Sequence, residues 1–196
     1  MTETRRLTDA EVLKGLTHPL RRQLYRLLVQ LGPSTVTVLA EHTSADPGRI
    51  SYHLRDLGRR GFIEEVPELA RDRRERWWRV VSGSLAWSTG AFTDSVDRAV
   101  AETAYRQLVA DEFERLRVYE ATKDDWEPEW TDAAVTSNSY LRLTRDELRS
   151  MNNELNEVLK RWSRVGRRDP DVRPTELPDD GRKNVFVFFH AFPEKP

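Results

Sequence analysis

At 196 residues the chain can form one domain or two small ones, either able to bury a usable core. Hydrophobic residues make up 38% and charged residues 33%, a soluble, surface-rich composition with no apolar run near the roughly 20 residues of a membrane helix. The N-terminal MTETRRLTDAEVLKG lacks a signal-peptide core and cysteine is absent, so a cytoplasmic protein is expected. A disulfide framework, a thiolate nucleophile and any Cys-ligated metal or cluster are excluded. Residues 1–81 hold 15 Lys/Arg against 11 Asp/Glu, a balance of +4, whereas the rest holds 17 against 22, or −5; together they give the net −1. A basic N-terminal part joined to an acidic C-terminal part is expected when only the first meets a polyanion.

Leu7 to Leu16 reads as a short helix with Thr8 as N-cap and Glu11 as its capping-box partner. Thr17-His18-Pro19 restarts the helix, Thr capping and Pro suiting the first turn. Leu20, Leu24, Leu27, Leu28 and Leu31 then recur at helical spacing until Gly32-Pro33 stops the run. Arg21, Arg22 and Arg26 lie off that stripe, where solvation is favoured over phosphate contact. Ser34 or Thr35 caps a third segment carrying Val36, Val38, Leu39 and Ala40, which ends near His42-Thr43.

Asp46 before Pro47 is an N-cap followed by proline at the first helical position, opening a helix over 47–59. Ile50, Leu54 and Leu57 point inward at i, i+4 and i+7. The opposite face carries Gly48, Tyr52, Arg55 and Arg59, with Arg49 and Ser51 beside them. Small residues at its start let a helix N-terminus approach phosphate, and Ser, Tyr and Arg can hydrogen-bond base edges in a major groove. Many surface helices carry such residues, so this face alone is ambiguous.

Gly61 is placed to end the helix at positive φ, and Phe62-Ile63 enters a strand that pairs with Glu75 to Val81. Arg71, Arg73 and Arg74 crowd the hairpin tip, with Arg76 at its base and Asp72 and Glu75 interrupting. Like charges at one tip repel unless a polyanion faces them, so the hairpin suits a minor groove or flanking phosphates. Trp77 and Trp78 must face opposite sides of the hairpin, and packing is favoured over base stacking for both. Helix, turn, helix and basic hairpin together are a winged helix-turn-helix. The expected DNA-contact set is Thr35, Thr37, Pro47, Gly48, Arg49, Ser51, Tyr52, His53, Arg55, Arg59, Arg71, Arg73, Arg74 and Arg76.

His18-Pro19-Leu20-Arg21, the run Ile50-Ser51-Tyr52-His53-Leu54-Arg55 and Gly61-Phe62-Ile63 carry a resemblance. Residues 10–81 resemble the winged-helix domain of ArsR-type (arsenic-repressor-like) transcriptional regulators. The resemblance implies a cytoplasmic homodimer, with Ser51, Tyr52, His53 and Arg55 in the reading helix; a repressor is the favoured sign, with an activator left open. Metal sensors of that family carry a Cys-x-Cys pair or His/Asp clusters. This chain has no cysteine, and His18, His42, His53 and His190 show no ligand spacing, so no metal or other cofactor is expected.

Beyond a connector around residues 82–90, Thr93 or Asp94 begins a long helix reaching about Thr122, with Val96, Val100, Ala104, Leu108, Phe113 and Leu116 along a stripe. Pairing with its twin across a two-fold axis would cover that stripe; an intrachain core is the alternative. Trp126 to Trp130 reads as a stiff turn, Val135 to Leu143 as a strand, and Thr144 with Glu147 as a capping box opening another helix. That helix carries Leu148, Met151, Leu155, Leu159, Trp162 and Val165. A polar loop over 166–183 leads to Val185-Phe186-Val187-Phe188-Phe189, a strand buried on both faces or paired within a dimer. Such a layer resembles longer members of the family, where it assists dimerisation and can receive an effector.

The expected fold is therefore α+β: a winged helix-turn-helix over 1–82, then a dimerisation and effector region over 83–196 with a long helix and a small strand–helix–strand layer. Trp126, Trp130, Tyr140, Trp162, Phe188 and His190 form an aromatic set that is either core or an effector pocket. No glycine-rich phosphate loop, nucleophile elbow or metal motif supports an enzyme. The function expected is a homodimeric, sequence-specific DNA-binding transcriptional regulator. A winged helix used only for protein contacts is the alternative, one for which an uncharged wing tip would be expected.

Overall fold

The computed structural model describes residues 5–72, 74–81, 85–86, 89–166, 169, 171–176 and 179–195, with backbone alone at 5–6 and 85–86. Arg5–Arg6 (β1) pairs in parallel with Leu85–Ala86, and Ala10–Leu13 (α1) follows. Asp9, not Thr8, caps α1 by accepting the Glu11 N–H at 2.8 Å, and a 3-10 turn over Lys14–Leu16 ends it. Thr17 Oγ1 donates back to the Lys14 carbonyl, so it closes that turn instead of capping the next helix. The cap of Pro19–Leu31 (α2) is His18, whose Nδ1 accepts the Leu20 N–H at 3.2 Å.

Ser34–Thr35 (β2) leads into Val36–Glu41 (α3), capped by Thr35 through the Val38 N–H. Pro47–Arg59 (α4) has Asp46 as N-cap, accepting from Arg49 N–H at 3.0 Å, and Gly61 beyond it takes φ 72°. Both features match the expectation, because proline, aspartate and glycine act within a few residues of themselves. Ile63–Glu65 (β3) and Trp77–Val80 (β4) then form the wing, with Ile63 opposite Val80, Glu64 opposite Arg79 and Glu65 opposite Trp78. The sheet order is β2-β4-β3, all antiparallel, and Leu85–Ala86 is β5.

Leu13, Leu24, Leu28, Leu39, Ile50, Leu54, Leu57 and Phe62 are all buried and meet in one core. Each such side chain contributes on the order of 1.5–3 kcal/mol. The inward face of α4 is the one its spacing predicted. Trp78 joins this core, while Trp77 packs on the other side of the hairpin against Val66 and Leu69. Gly15 lies so close beneath Phe62 that a Cβ there would come within 2.6 Å of the ring.

Ser95–Thr122 (α5) starts from Asp94, whose Oδ1 accepts the Val96 and Asp97 N–H groups. Residues 1–107 and 167–184 make one compact unit, and 108–166 with 185–196 make a second, so the division falls inside α5 and the chain returns to the first unit near its end.

In the second unit Glu127-Pro128 opens a short helix, Pro128–Ala133 (α6), where a turn was expected. Arg145–Val165 (α7) begins with the reciprocal Thr144–Glu147 capping box that the sequence predicts. The two expected strands are corrected: among the described residues 134–144 and 182–195 lie in no sheet. Alternation supplies one face of a strand, but its backbone N–H and C=O groups need a neighbouring edge. Val135 is 86% and Tyr140 87% exposed. The described residues are thus α+β, a winged helix-turn-helix with long helices after it. Among them no helix is long and apolar enough to cross a membrane.

Candidate nucleic-acid interface

A cleft of about 970 Å³ opens between α3, α4 and the wing. Thr35 and Thr37 line it from the start of α3, Ser51 and Arg55 from the outer face of α4, and Arg71, Arg74 and Arg76 from the wing. Seven residues expected from three separate stretches therefore share one surface. Pro47, Gly48, Arg49 and Tyr52 are exposed on the first turns of α4, outside the lining, and Arg59 is exposed at its last turn. Arg73 lies outside the described residues.

His53 is the exception. Only 7% exposed, it turns inward against His18, with ring centroids 4.3 Å apart. Tyr52 packs its ring edge-on to His53 at 5.2 Å, so the outward tyrosine is held by the inward histidine. Burial and then the Arg21 charge lower the pKa of His18; burial and then His18 itself lower that of His53. Both imidazoles are kept neutral in a region rich in arginine.

The carboxylate of Asp56, on the same inner side of α4, accepts from Arg21, from Arg59 at 3.0 Å and from Arg60 at 3.1 Å. Burial pushes this carboxyl up, but the Arg59 and Arg60 hydrogen bonds and the Arg60 and Arg21 charges outweigh it, and its pKa ends below the usual range. Arg21 also donates to the Lys14 carbonyl at 2.9 Å and Arg22 to the Leu16 carbonyl at 3.0 Å. Neither is a solvated surface arginine as expected. They tie α2 to the turn before it, and Arg21 ties it to α4.

Carboxylates fold the wing tip. Asp72 Oδ1 accepts the N–H of Arg74 at 2.7 Å and of Glu75 at 3.1 Å, and Glu75 Oε2 accepts the N–H of Arg71 at 2.7 Å. That Arg71 N–H is the main cause holding the Glu75 carboxyl below its ordinary pKa. The acids that interrupt the arginine run are thus its scaffold, and the Arg71 and Arg74 side chains remain exposed. Arg76 stands 3.6 Å from Glu65, an exposed pair that contributes little.

Two lining residues come from outside those three stretches: Arg173, and Thr175 in the short 3-10 turn over Pro174–Glu176 that follows it. Arg173 lies 104 positions from the wing residue it bonds, a separation at which no local pattern could signal the contact.

Of the six aromatic residues of the expected effector set, a ring contact joins Phe188 with His190 among the described residues. Tyr140, Trp162 and Trp126 are exposed and Trp130 is half-buried. Phe188 and His190 do meet, at 5.8 Å, together with Phe113 and Phe186. Arg115 lies 3.2 Å over the Phe186 ring, and His190 Nε2 stands 2.9 Å from Glu112. Phe186, Phe188 and His190 alternate along the chain, a period-two signal that could have singled them out.

The scaffold and the cleft define a winged helix-turn-helix. Residues 16–66, about a quarter of the chain, match the family model described as a helix-turn-helix domain. Among solved structures, one described as a possible transcriptional regulator for arsenical resistance is 29% identical, covering 55% of this chain and 94% of its own, at a TM-score of 0.32. A mutant MarR from E. coli complexed with operator DNA is 20% identical over 76% of this chain and 84% of its own, at a TM-score of 0.30. Wild-type apo MarR from E. coli is 20% identical over 78% and 88%, at 0.28. No curated protein matched the chain.

Proposed function

We propose that this protein is a sequence-specific DNA-binding transcriptional regulator, a homodimeric repressor that reads a major groove with α4 and lays its wing on the minor groove or flanking phosphates. The observation that carries the proposal is the shared cleft, where Ser51 and Arg55 stand beside Arg71, Arg74 and Arg76. Arginine fits both guanine edges and phosphates, and a surface that joins groove-reading and phosphate-binding arginines has the chemistry of a DNA site.

The dimer rests on apolar surface. Val96, Tyr105, Leu108 and Phe113 on α5 and Leu155, Trp162 and Val165 on α7 are exposed in the single chain. Such a quantity of uncovered apolar surface is uncommon on a monomer, and a two-fold pair would set two reading helices about 34–36 Å apart. For a small-molecule effector, the support is the ring cluster of Phe113, Phe186, Phe188 and His190, and the chemistry it suits is a flat, apolar compound.

Fluorescence anisotropy with DNA from upstream of the protein's own gene, at two salt concentrations, tests the central claim. A sequence-dependent, salt-sensitive affinity is expected. Its absence, also against a random DNA pool, would leave a protein-contact module as the better account. Sedimentation analysis tests the dimer, and an unchanged reporter signal on deleting the gene would overturn the repressor assignment.

A further inference from the structure

The chain leaves the first unit within α5 and returns to it over residues 167–184, and there it meets the wing. Arg173 donates from Nε at 2.9 Å and from Nη2 at 2.6 Å to one acceptor, the Leu69 carbonyl. Its guanidinium lies 5.7 Å from the Trp77 ring centroid, and Nη1 bonds its own neighbour Glu176 at 3.1 Å. The side chain is only 14% exposed. On one side of it Asp171 accepts from Arg79 of β4, and on the other Glu176 stands 3.9 Å from Arg71 of the wing tip. Asn184 donates to the Gln30 carbonyl at 3.0 Å, and Pro174 packs beside Gly32, so the same segment also grips the end of α2.

The wing needs such a hold. Its ladder ends at the Val66 N–H to Trp77 carbonyl bond, beyond which the Leu69 and Ala70 N–H groups turn back onto the Val66 and Pro67 carbonyls. The described residues 67–72 and 74–76 therefore extend past the last rung, carrying the arginines of the cleft. Leu69 is buried among the described residues of that extension, and Arg173 holds its carbonyl with two charge-assisted hydrogen bonds.

We propose that residues 171–176 are a strap that fixes the wing tip over the α4 face, with Arg173 as a positioning residue for the wing arginines. The proposal rests on the DNA-binding assignment for its consequence but not for its mechanics. The strap follows α7 in sequence and precedes the Phe186–His190 segment. Asp171 and Glu176 give the strap an ionic grip that salt weakens, while the bonds to Leu69 and the packing on Trp77 persist.

Arg173→Ala and Arg173→Lys in the full chain test it. Trypsin cleavage after Arg71, Arg74 and Arg76 tracks how often the tip opens, and losing two charged hydrogen bonds should speed it by about tenfold or more in Arg173→Ala. Arg173→Lys keeps the charge but not the two-pronged fork, and should fall between that variant and wild type. On DNA, Arg173→Ala should lower affinity and flatten the salt dependence, and adding Arg74→Ala should then cost less than it does alone. Unchanged cleavage at the wing in both variants overturns the strap whatever DNA does. Faster cleavage with wild-type affinity and salt slope overturns its link to DNA. A wild-type protein that ignores DNA overturns the functional assignment instead, and the cleavage result then decides the strap alone.

Discussion

The rings of His18 and His53 meet with centroids 4.3 Å apart, joining the N-cap of α2 to the inner side of α4. Both ionise less readily when folded, burial being the first cause in each case. The unfolded chain therefore binds more protons below about pH 6.5, and stability present above that value is lost as pH falls toward the folded values. Protonation also removes the acceptor that His18 Nδ1 offers to the Leu20 N–H. Urea unfolding at about pH 7.5 and about pH 5.5 should show a clear loss at the lower value. In His18→Asn, which keeps a capping acceptor that does not titrate, that loss should shrink.

Asp56 collects three arginines, and its lowered pKa makes its contribution present above the unfolded carboxylate range and lost only in stronger acid, a window separate from that of the histidines. Removing one partner of a mostly buried ion pair leaves the other unpaired. Asp56→Ala should cost about 3–5 kcal/mol in chemical denaturation. Asp56→Asn, which retains an acceptor, should cost less.

Gly15 tests the packing between the first turn and Phe62. An alanine Cβ would meet the buried ring at 2.6 Å and the Arg60 side chain at 2.7 Å. Gly15→Ala should destabilise by about 1–3 kcal/mol, the usual cost of overpacking, although alanine is the better helix former. A thermal melt that rises instead would show that the contact relaxes without cost.

On DNA the two kinds of arginine should separate. Arg55→Ala and Tyr52→Ala should weaken a selected site by about 1–3 kcal/mol more than random DNA, as base-edge contacts do. Neutralising Arg74 and Arg76 should weaken both alike and lower the salt slope by about one for each phosphate left without its arginine. Equal losses on cognate and random DNA for the α4 variants would count against α4 as the reading helix.

Some of this architecture could be read from residues that act on their near neighbours. Asp46-Pro47, Gly61, the Thr144–Glu147 box and the Ile50/Leu54/Leu57 stripe each act within about two turns of helix, so they define α4 and the start of α7 wherever the rest of the chain goes. Before α1 and α2 several acceptors compete within a few residues, and only the packed turn chooses Asp9 over Thr8 and His18 over Thr17. Tertiary structure alone decided that His53 faces inward and that Arg21 of α2 reaches Asp56 of α4. It decided too that Asp72 and Glu75 scaffold the wing they were expected to dilute. It also left 135–143 and 185–189 without a sheet, because a strand's periodicity lies in its own sequence while its hydrogen-bond partner must come from elsewhere. The contact of Arg173 with Leu69 has the same cause at its extreme: side chain and carbonyl lie 104 residues apart, and only the return of the folded chain brings them within 2.9 Å.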